Sequence, residues 1–477
     1  MLEKDRQIML ITYPDSLGGS LAALCEALDS LFDGVAGSLH ILPFFPSSGD
    51  RGFAPISYRE VDPAFGTWED IRRLAQSHHL MCDFMVNHIS SHSSQFQDYL
   101  ARGENSASAG MFIDYDAFFG GAPTQEELAL LYRRNDLPLY VELAQKGGRP
   151  QKLWCTFARD QIDLNTNSPV TRQYLEDNLS FLAQQGMRLV RLDAYGYITK
   201  VRGTNCFFVE PQVWDLISDL SSRVSGQGIR LLPEVHAPYQ TALKIAEKGY
   251  TTYDFVLPLL MLHTIFSGSA KEMKRWLSIC PRNQFTVLDT HDGIGVFDAD
   301  GILSAAQAQA VIAQVEPRLS YAYKPLDPAR KKHFRSYQLY CTYFSALDGD
   351  EDAYLMARAI QFFAPGVPQV YYNGLLCAKN DLAFVSQEDH RAINRPNYSL
   401  QELADAARRP VVGRLMDLMR LRNTHPAFAG ELEILDSPDS VLLLRRTQGN
   451  HQALLSCDLQ ARRFTLRFSA EDGMRTF

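Results

Sequence analysis

Asp83-Phe84-Met85-Val86-Asn87-His88, Val190-Arg191-Leu192-Asp193-Ala194, Leu231-Leu232-Pro233-Glu234-Val235-His236 and Val287-Leu288-Asp289-Thr290-His291-Asp292 share one pattern. Each is a hydrophobic run that turns polar at its last residues. A parallel strand buried on both faces reads as a nearly unbroken apolar run. Carboxylates and histidines that close such runs predict a barrel whose mouth carries acid and base groups.

Working outward, four further runs complete a set of eight. They are Ile8 to Tyr13, Ser38 to Phe44, the weaker Asp254-Phe255-Val256-Leu257-Pro258, and Pro368 to Tyr372. Amphipathic segments lie between them, such as Thr67 to Ser77 and Arg172 to Gln185, with apolar residues at helical spacing. Alternation of this kind predicts parallel strands and crossover helices. Eight repeats favour an α/β fold of the (β/α)8 TIM barrel type over an open sheet. Two intervals are too long for plain connections and predict inserted subdomains at 89–167 and 293–348. The barrel is then built from 1–88, 168–292 and 349–424. Beyond it, Glu431 to Leu435, Val441 to Arg446, Ala453 to Cys457 and Arg463 to Phe468 alternate with period two. They predict a small antiparallel β domain at 425–477 with one face packed on the barrel.

Composition narrows the function classes. The net charge of −8, with no long run of one sign, argues against nucleic acid as a partner. No stretch approaches the roughly 18 apolar residues of a membrane span. The start, Met1-Leu2-Glu3-Lys4-Asp5-Arg6, lacks the apolar core of a secretion signal. The eight cysteines are scattered without metal-like spacing. The expectation is a reduced, cytoplasmic enzyme, monomer or homodimer, whose partners are small molecules.

Retaining cleavage of a glycosidic bond needs two carboxyl groups about 5–5.5 Å apart, one to attack and one to carry a proton. Asp193 and Glu234 close adjacent predicted strands and suit that pair. Arg191, two residues before Asp193, lies on the same strand face, where its charge keeps a carboxylate ionised. The apolar Leu-Leu-Pro-Glu-Val setting of Glu234 suggests an acid with a raised pKa. Asp292 offers a third carboxylate, for sugar hydroxyls and an oxocarbenium-like transition state. Taken singly, an Arg-x-Asp is more often a structural ion pair and an Asn-His a satisfied buried pair. It is their joint order along the barrel that argues for catalysis.

That order, Asp-x-x-x-Asn-His, Arg-x-Asp-Ala, Glu-x-His and His-Asp, resembles the conserved regions of the α-amylase superfamily. More narrowly, the chain resembles sucrose phosphorylases and their relatives. The likeness runs through Met9 to Tyr13, Leu42 to Phe45, Gly49 to Phe53, Gln95 to Asp98, Leu288 to Val296 and Phe363 to Tyr372. The resemblance implies Asp193 as nucleophile, Glu234 as acid/base and Asp292 as transition-state stabiliser. It implies Asp50, His88, Arg191, His291 and Arg395 as groups gripping a glucosyl unit, with Phe53 and Phe157 as apolar walls and Gln161 nearby. After Ile393-Asn394-Arg395 the chain departs from close relatives at Pro396-Asn397. Amylase calcium loops are not evident, so no metal and no cofactor is expected, with inorganic phosphate as co-substrate.

A phosphorylase needs cationic and hydrogen-bonding groups on the acceptor side. Arg134 in the first insertion matches the family's phosphate-contacting arginine, and Tyr337-Gln338 in the second matches an acceptor-loop motif. Sucrose-specific relatives carry an acidic residue where this chain has Arg335, within His333-Phe334-Arg335-Ser336. Upstream stand Lys324, Arg330, Lys331 and Lys332. A cationic cluster suits an acceptor bearing its own phosphate, as in the sucrose 6′-phosphate phosphorylase branch. A solvated basic helix start is the plainer reading of the same residues. Plain sucrose, glucosylglycerol or glucosylglycerate are the alternatives, and Tyr195 keeps the glycerol option open. A simple α-glucosidase or a non-catalytic sugar-binding member are the remaining classes.

Overall fold

The structure is a computed structural model that describes residues 2–133, 137–143, 150–319, 321–323, 338–383 and 390–477, the segment 321–323 by its backbone alone. Eight strands form one sheet: β1 Met9–Thr12, β2 Ser38–Ile41, β3 His79–Met85, β4 Met187–Asp193, β5 Arg230–Pro233, β6 Thr252–Asp254, β7 Gln284–Thr286 and β8 Val367–Tyr371. Their order is β6-β7-β8-β1-β2-β3-β4-β5, a cyclic permutation of chain order, as a (β/α)8 barrel requires. The chain packs as two compact units. One comprises Met1–His40, Ser77–His79 and His236–Phe477, the other Ile41–Gln76 and Leu80–Val235.

In the second unit β3 and β4 pair in parallel with Asp83 opposite Arg191, and β4 pairs in parallel with β5. Both β3 and β4 are almost wholly buried, which explains their unbroken apolar character. The helix after β4's predecessor loop spans Pro169–Gln184, three residues earlier than its periodicity suggests. Proline at the first helical position, where a missing N–H costs nothing, accounts for the earlier start. Tyr115, Phe119, Leu131, Leu139 and Trp154 of the first insertion form a small core that Cys206, from the loop beyond β4, completes. Two hairpin-like pairs brace it, His88–Ser90 with Gln161–Asp163 and Tyr140–Leu143 with Gln151–Trp154.

In the first unit β1, β6, β7 and β8 form parallel pairs. The predicted sixth run is corrected here. The strand ends at Asp254, and Leu257 opens a helix, Leu257–Ser267, with Pro258 in its first turn. The Asp254 carboxylate accepts the Leu257 N–H at 3.0 Å, which turns the chain from strand to helix. The seventh strand likewise stops at Thr286, six residues short of Asp292. In the second insertion Tyr321–Tyr323 pairs with Gln338–Tyr340, which pairs in turn with Ile294–Gly295.

The C-terminal residues form a five-stranded antiparallel meander over Glu431–Thr476. Its last strand, Gly473–Thr476, is exposed along its length and has no apolar alternation, so periodicity alone misses it. Leu442, Leu444, Leu455, Cys457 and Leu466 line the buried face. Buried Arg446 fastens this sheet to the helix Glu351–Phe363. Its guanidinium donates to the carbonyls of Phe363 at 3.0 Å, Ala364 at 2.7 Å and Gly430 at 2.8 Å. Carbonyls at a helix C-terminus have no intrahelical partner and carry partial negative charge, so a cation is well placed there. Replacing Arg446 by Met keeps the stem but orphans three carbonyls. We predict a loss of about 3 kcal/mol in urea unfolding; a change under about 1 kcal/mol would show that water satisfies these groups equally well.

Candidate active site

In the second unit the site is organised on Arg191. Its Nη1 donates to Asp83 Oδ1 and, at 2.9 Å, to Asp193 Oδ1, while Nη2 stands 3.4 Å from Glu234 Oε1. The arginine is 4 % exposed and Glu234 7 %. Glu234 Oε2 also accepts the Ala194 N–H at 2.9 Å. This corrects the expectation of apolar surroundings for Glu234. Its leucine neighbours precede the carboxylate along the strand, whereas the carboxylate itself meets two donors. Ala194, at φ 54°, turns the backbone left-handed directly after Asp193, which aims this N–H at Glu234.

Phe53 is the second focus. Its carbonyl accepts from His88 Nε2 at 2.9 Å and from Gln161 Nε2 at 2.8 Å, and its ring lies 6.0 Å from the Arg191 guanidinium carbon. Phe157 meets the His88 ring edge-on at 5.4 Å. These contacts link Arg191, Asp193, Glu234, Phe53, His88, Phe157 and Gln161 in one neighbourhood. Asp50 sits in the left-handed turn just before Phe53, and its charge reaches His88.

Behind this layer lies a cation that sequence reasoning missed. Buried Lys200 donates to Asn87 Oδ1 at 2.7 Å and to the Tyr197 carbonyl, and pairs with Asp163 Oδ2 at 2.6 Å. Asp163 also accepts from the Thr156 N–H and hydroxyl. The lysine anchors Asn87, the neighbour of His88, and Asp163, which pairs with His88 in register. Only the Asn-His motif hinted at this; nothing local marks Lys200.

In the first unit Asp292 lies 3.7 Å from His291 Nε2, 3.5 Å from Arg391 Nη1 and 3.7 Å from Arg395 Nη2. Arg395 is fixed by donating to the His291 carbonyl at 2.9 Å and by stacking over Tyr13. Asn394 donates to the Thr290 carbonyl, and Asn373 donates to the Asn394 carbonyl. The divergent Asn397 bonds to Asp15 at 2.7 Å and Ser16 at 3.2 Å, so the altered residue ties its loop to the segment after β1. Asp289 is held in a buried ion pair, its two oxygens accepting from Arg358 Nη2 at 2.8 and 2.7 Å. Gly374 is required beside it, because a Cβ there would stand 2.1 Å from both partners. His236 is held by Asp298 and stacked on Phe255, and one of its ring nitrogens lies within 4.8 Å of an Asp292 oxygen.

Two of the acceptor-side candidates, Tyr195 and Gln338, lie among the described residues. Tyr195 is 1 % exposed, and its hydroxyl donates to the Val213 carbonyl at 2.6 Å. That bond ties the Tyr195 ring to the start of the following helix. Gln338 is buried within its strand. Arg134, His333, Arg335 and Tyr337 lie outside the described residues. The strands Tyr321–Tyr323 and Gln338–Tyr340 that flank the last three are in place.

Comparison with known proteins matches the α-amylase catalytic domain to residues 7–225. The sucrose 6(F)-phosphate phosphorylase of Thermoanaerobacterium thermosaccharolyticum is 42% identical over 98% of both chains. The sucrose phosphorylase of Streptococcus mutans is 39% identical, also over 98% of both. The crystal structure of sucrose 6F-phosphate phosphorylase from Thermoanaerobacter thermosaccharolyticum matches with a TM-score of 0.96 at 40% identity. That match covers 99% of this chain and 98% of that one. These likenesses bear out the superfamily resemblance and the barrel.

Burial holds the His88 imidazole below its ordinary pKa of 6.5, against the opposite pull of Asp163. The Phe53 carbonyl can only accept, so neutral His88 carries its proton on Nε2. A histidine with a lowered folded pKa binds fewer protons than in the unfolded chain. Its contribution to stability is therefore full above about pH 6.5 and lost as pH falls through the folded value. Nitrogen-15 NMR should find an Nε2–H tautomer titrating below 6.5; a midpoint above 6.5 would contradict the neutral assignment.

Proposed function

The chain belongs to the α-amylase superfamily and, within it, to the sucrose phosphorylase group, and from that premise we propose that it phosphorolyses sucrose 6′-phosphate. The products are α-D-glucose 1-phosphate and D-fructose 6-phosphate. Asp193 attacks the anomeric carbon while Glu234 protonates the bridging oxygen, and fructose 6-phosphate departs from a β-glucosyl-enzyme. Phosphate then attacks the same carbon as Glu234 takes its proton, so two inversions give net retention. Asp292 stabilises the positive charge of each transition state. Asp50, His88, Arg191, His291 and Arg395 hold the glucosyl unit against Phe53 and Phe157, with Gln161 in support.

One guanidinium serves both carboxylates, with Arg191 Nη1 2.9 Å from Asp193 Oδ1 and Nη2 3.4 Å from Glu234 Oε1. The assignment of Asp193 as nucleophile and Glu234 as acid/base rests on the match of their motifs to those of the family. Phosphate is received by Arg134, and the phosphorylated leaving group by His333, Arg335, Tyr337 and Gln338.

The observation that carries the substrate assignment is the full-length likeness to a relative named for sucrose 6(F)-phosphate. The cationic stretch around Arg335 supports it. A second reading, unphosphorylated sucrose, is favoured by the likeness to the streptococcal enzyme. We place the protein in the cytoplasm, where a phosphorylated sugar donor is retained. No helix among the described residues is long and apolar enough to cross a membrane.

Phosphate-dependent release of glucose 1-phosphate should show a larger kcat/KM with sucrose 6′-phosphate than with sucrose, by tenfold or more. Arg335→Asp should reduce turnover of the phosphorylated donor selectively. A preference for sucrose, or equal losses on both donors, would overturn the acceptor assignment. Undiminished glucose release without phosphate would instead mark a hydrolase.

A further inference from the structure

Asp292 is placed differently from Asp193. Asp193 closes β4, whereas β7 stops at Thr286 and Asp292 sits in the loop beyond it. Strand register does not aim its carboxylate, so side-chain contacts must. The Asp292 N–H donates to Thr290 Oγ1 at 3.2 Å, which holds the backbone. Three nitrogens then face the carboxylate. His291 Nε2 stands 3.7 Å from Oδ2, while Arg391 Nη1 and Arg395 Nη2 stand 3.5 Å and 3.7 Å from Oδ1. Arg391 is the nearest of the three.

Both arginines belong to one stretch, the 3-10 turn His390–Asn394 and the residue that follows it. That turn is fastened to the Asp292 loop. Asn394 Nδ2 donates to the Thr290 carbonyl at 2.8 Å, and Arg395 Nε to the His291 carbonyl at 2.9 Å. From behind, the Tyr371 hydroxyl and Asn373 Nδ2 donate to the Asn394 carbonyl at 3.0 Å and 2.8 Å. Arg391 therefore reaches Asp292 from a base that is tied to the same loop. The two guanidiniums differ in their surroundings. The Arg395 side chain is 2 % exposed, lies over the Tyr13 ring and uses its Nε to hold the backbone. The Arg391 side chain is 31 % exposed and approaches Oδ1 from the wetter side. A contact of 3.5 Å is longer than the roughly 2.7–2.9 Å of a charge-assisted hydrogen bond. Contacts that serve a transition state are often long in the free enzyme and tighten around substrate.

We propose that Arg391 is a positioning residue that orients the Asp292 carboxylate for the glucosyl transition states. The proposal rests on the reading of Asp292 as transition-state stabiliser and adds to it the group that aims it. A guanidinium beside a carboxylate also favours its ionised form. Positive charge develops at the anomeric carbon only on the way to the transition state. An ionised and correctly aimed carboxylate therefore lowers the barrier without tightening ground-state binding. Arg391 touches no substrate in this role and acts through Asp292.

The test is kinetic and uses the full chain. Arg391→Gln should lower kcat about tenfold or more, both in phosphate-dependent turnover and in phosphate-free hydrolysis of α-glucosyl fluoride, with KM for donor and phosphate changed less than about threefold. Arg391→Lys should recover part of kcat, since it returns the charge without the rigid fork. Added to Asp292→Asn, Arg391→Gln should cost little more than Asp292→Asn alone, because the carboxylate it acts through is already gone. Arg414 stands 3.5 Å from Asp352 on the surface, and Arg414→Gln should leave kcat at the wild-type value. Wild-type kcat in Arg391→Gln, a rise in KM for phosphate alone, or multiplied losses in the double variant would overturn the proposal. Should Arg391→Gln not fold, Arg391→Lys carries the same test, with an intermediate kcat expected and an unchanged one counting against it. If Asp292→Asn alone keeps full turnover, the reading of Asp292 fails and the proposal with it, an outcome separate from multiplied losses.

Discussion

Arg191 sets one delocalised cation among Asp83, Asp193 and Glu234, and the chemistry of the second unit depends on that arrangement. Taking a charge out of water costs several kcal/mol, which only close, well-aligned partners offset. Asp83 is wholly buried and opposite Arg191 in register, so it anchors the guanidinium to the neighbouring strand. The other side of the fork is then fixed relative to two strand ends. A lysine could not do this, because its ammonium is a single point on a flexible stem, whereas the guanidinium is a rigid fork. Strand register therefore becomes charge placement at the two strand ends.

The same device recurs wherever the strand ends turn polar. Lys200 holds Asn87 and Asp163, and through them the backbone that carries His88. Arg358 holds Asp289, three residues before Asp292, with Gly374 leaving room for the pair. In each case a buried cation satisfies a buried carboxylate that lies close, in chain or in register, to a candidate site residue. Such buried pairs contribute little net stability against an apolar alternative. Their use here is geometric, since each has one arrangement that satisfies all its hydrogen-bonding groups.

How much of this was legible follows from which interactions are local. The eight strands could be read because buried parallel strands must be apolar, and the carboxylates because polar residues closing such runs are costly without a purpose. Boundaries failed where a side chain overrode hydrophobicity, as when Asp254 turns an apolar run into the start of a helix. The partners Asp83, Lys200, Arg358 and Asp298 were illegible as partners. Each meets its counterpart through register or tertiary packing, at a separation of 62 to 113 positions along the chain. The bond from the Tyr195 hydroxyl to Val213 in the following helix was illegible for the same reason. The apolar flanks of Glu234 misled because the chain leaves the strand at Pro233, and beyond it the residue is surrounded by groups brought from β4.

The account stands on Asp193 as the group that takes the glucosyl unit. Incubation with a fluorinated glucosyl donor that slows deglucosylation, followed by proteolysis and mass spectrometry, tests this directly. The mass of one fluoroglucosyl unit should appear on the peptide containing Asp193 and disappear on addition of phosphate. Labelling of Glu234 or Asp292 instead, or turnover of the donor with no labelled peptide at any time, would contradict it.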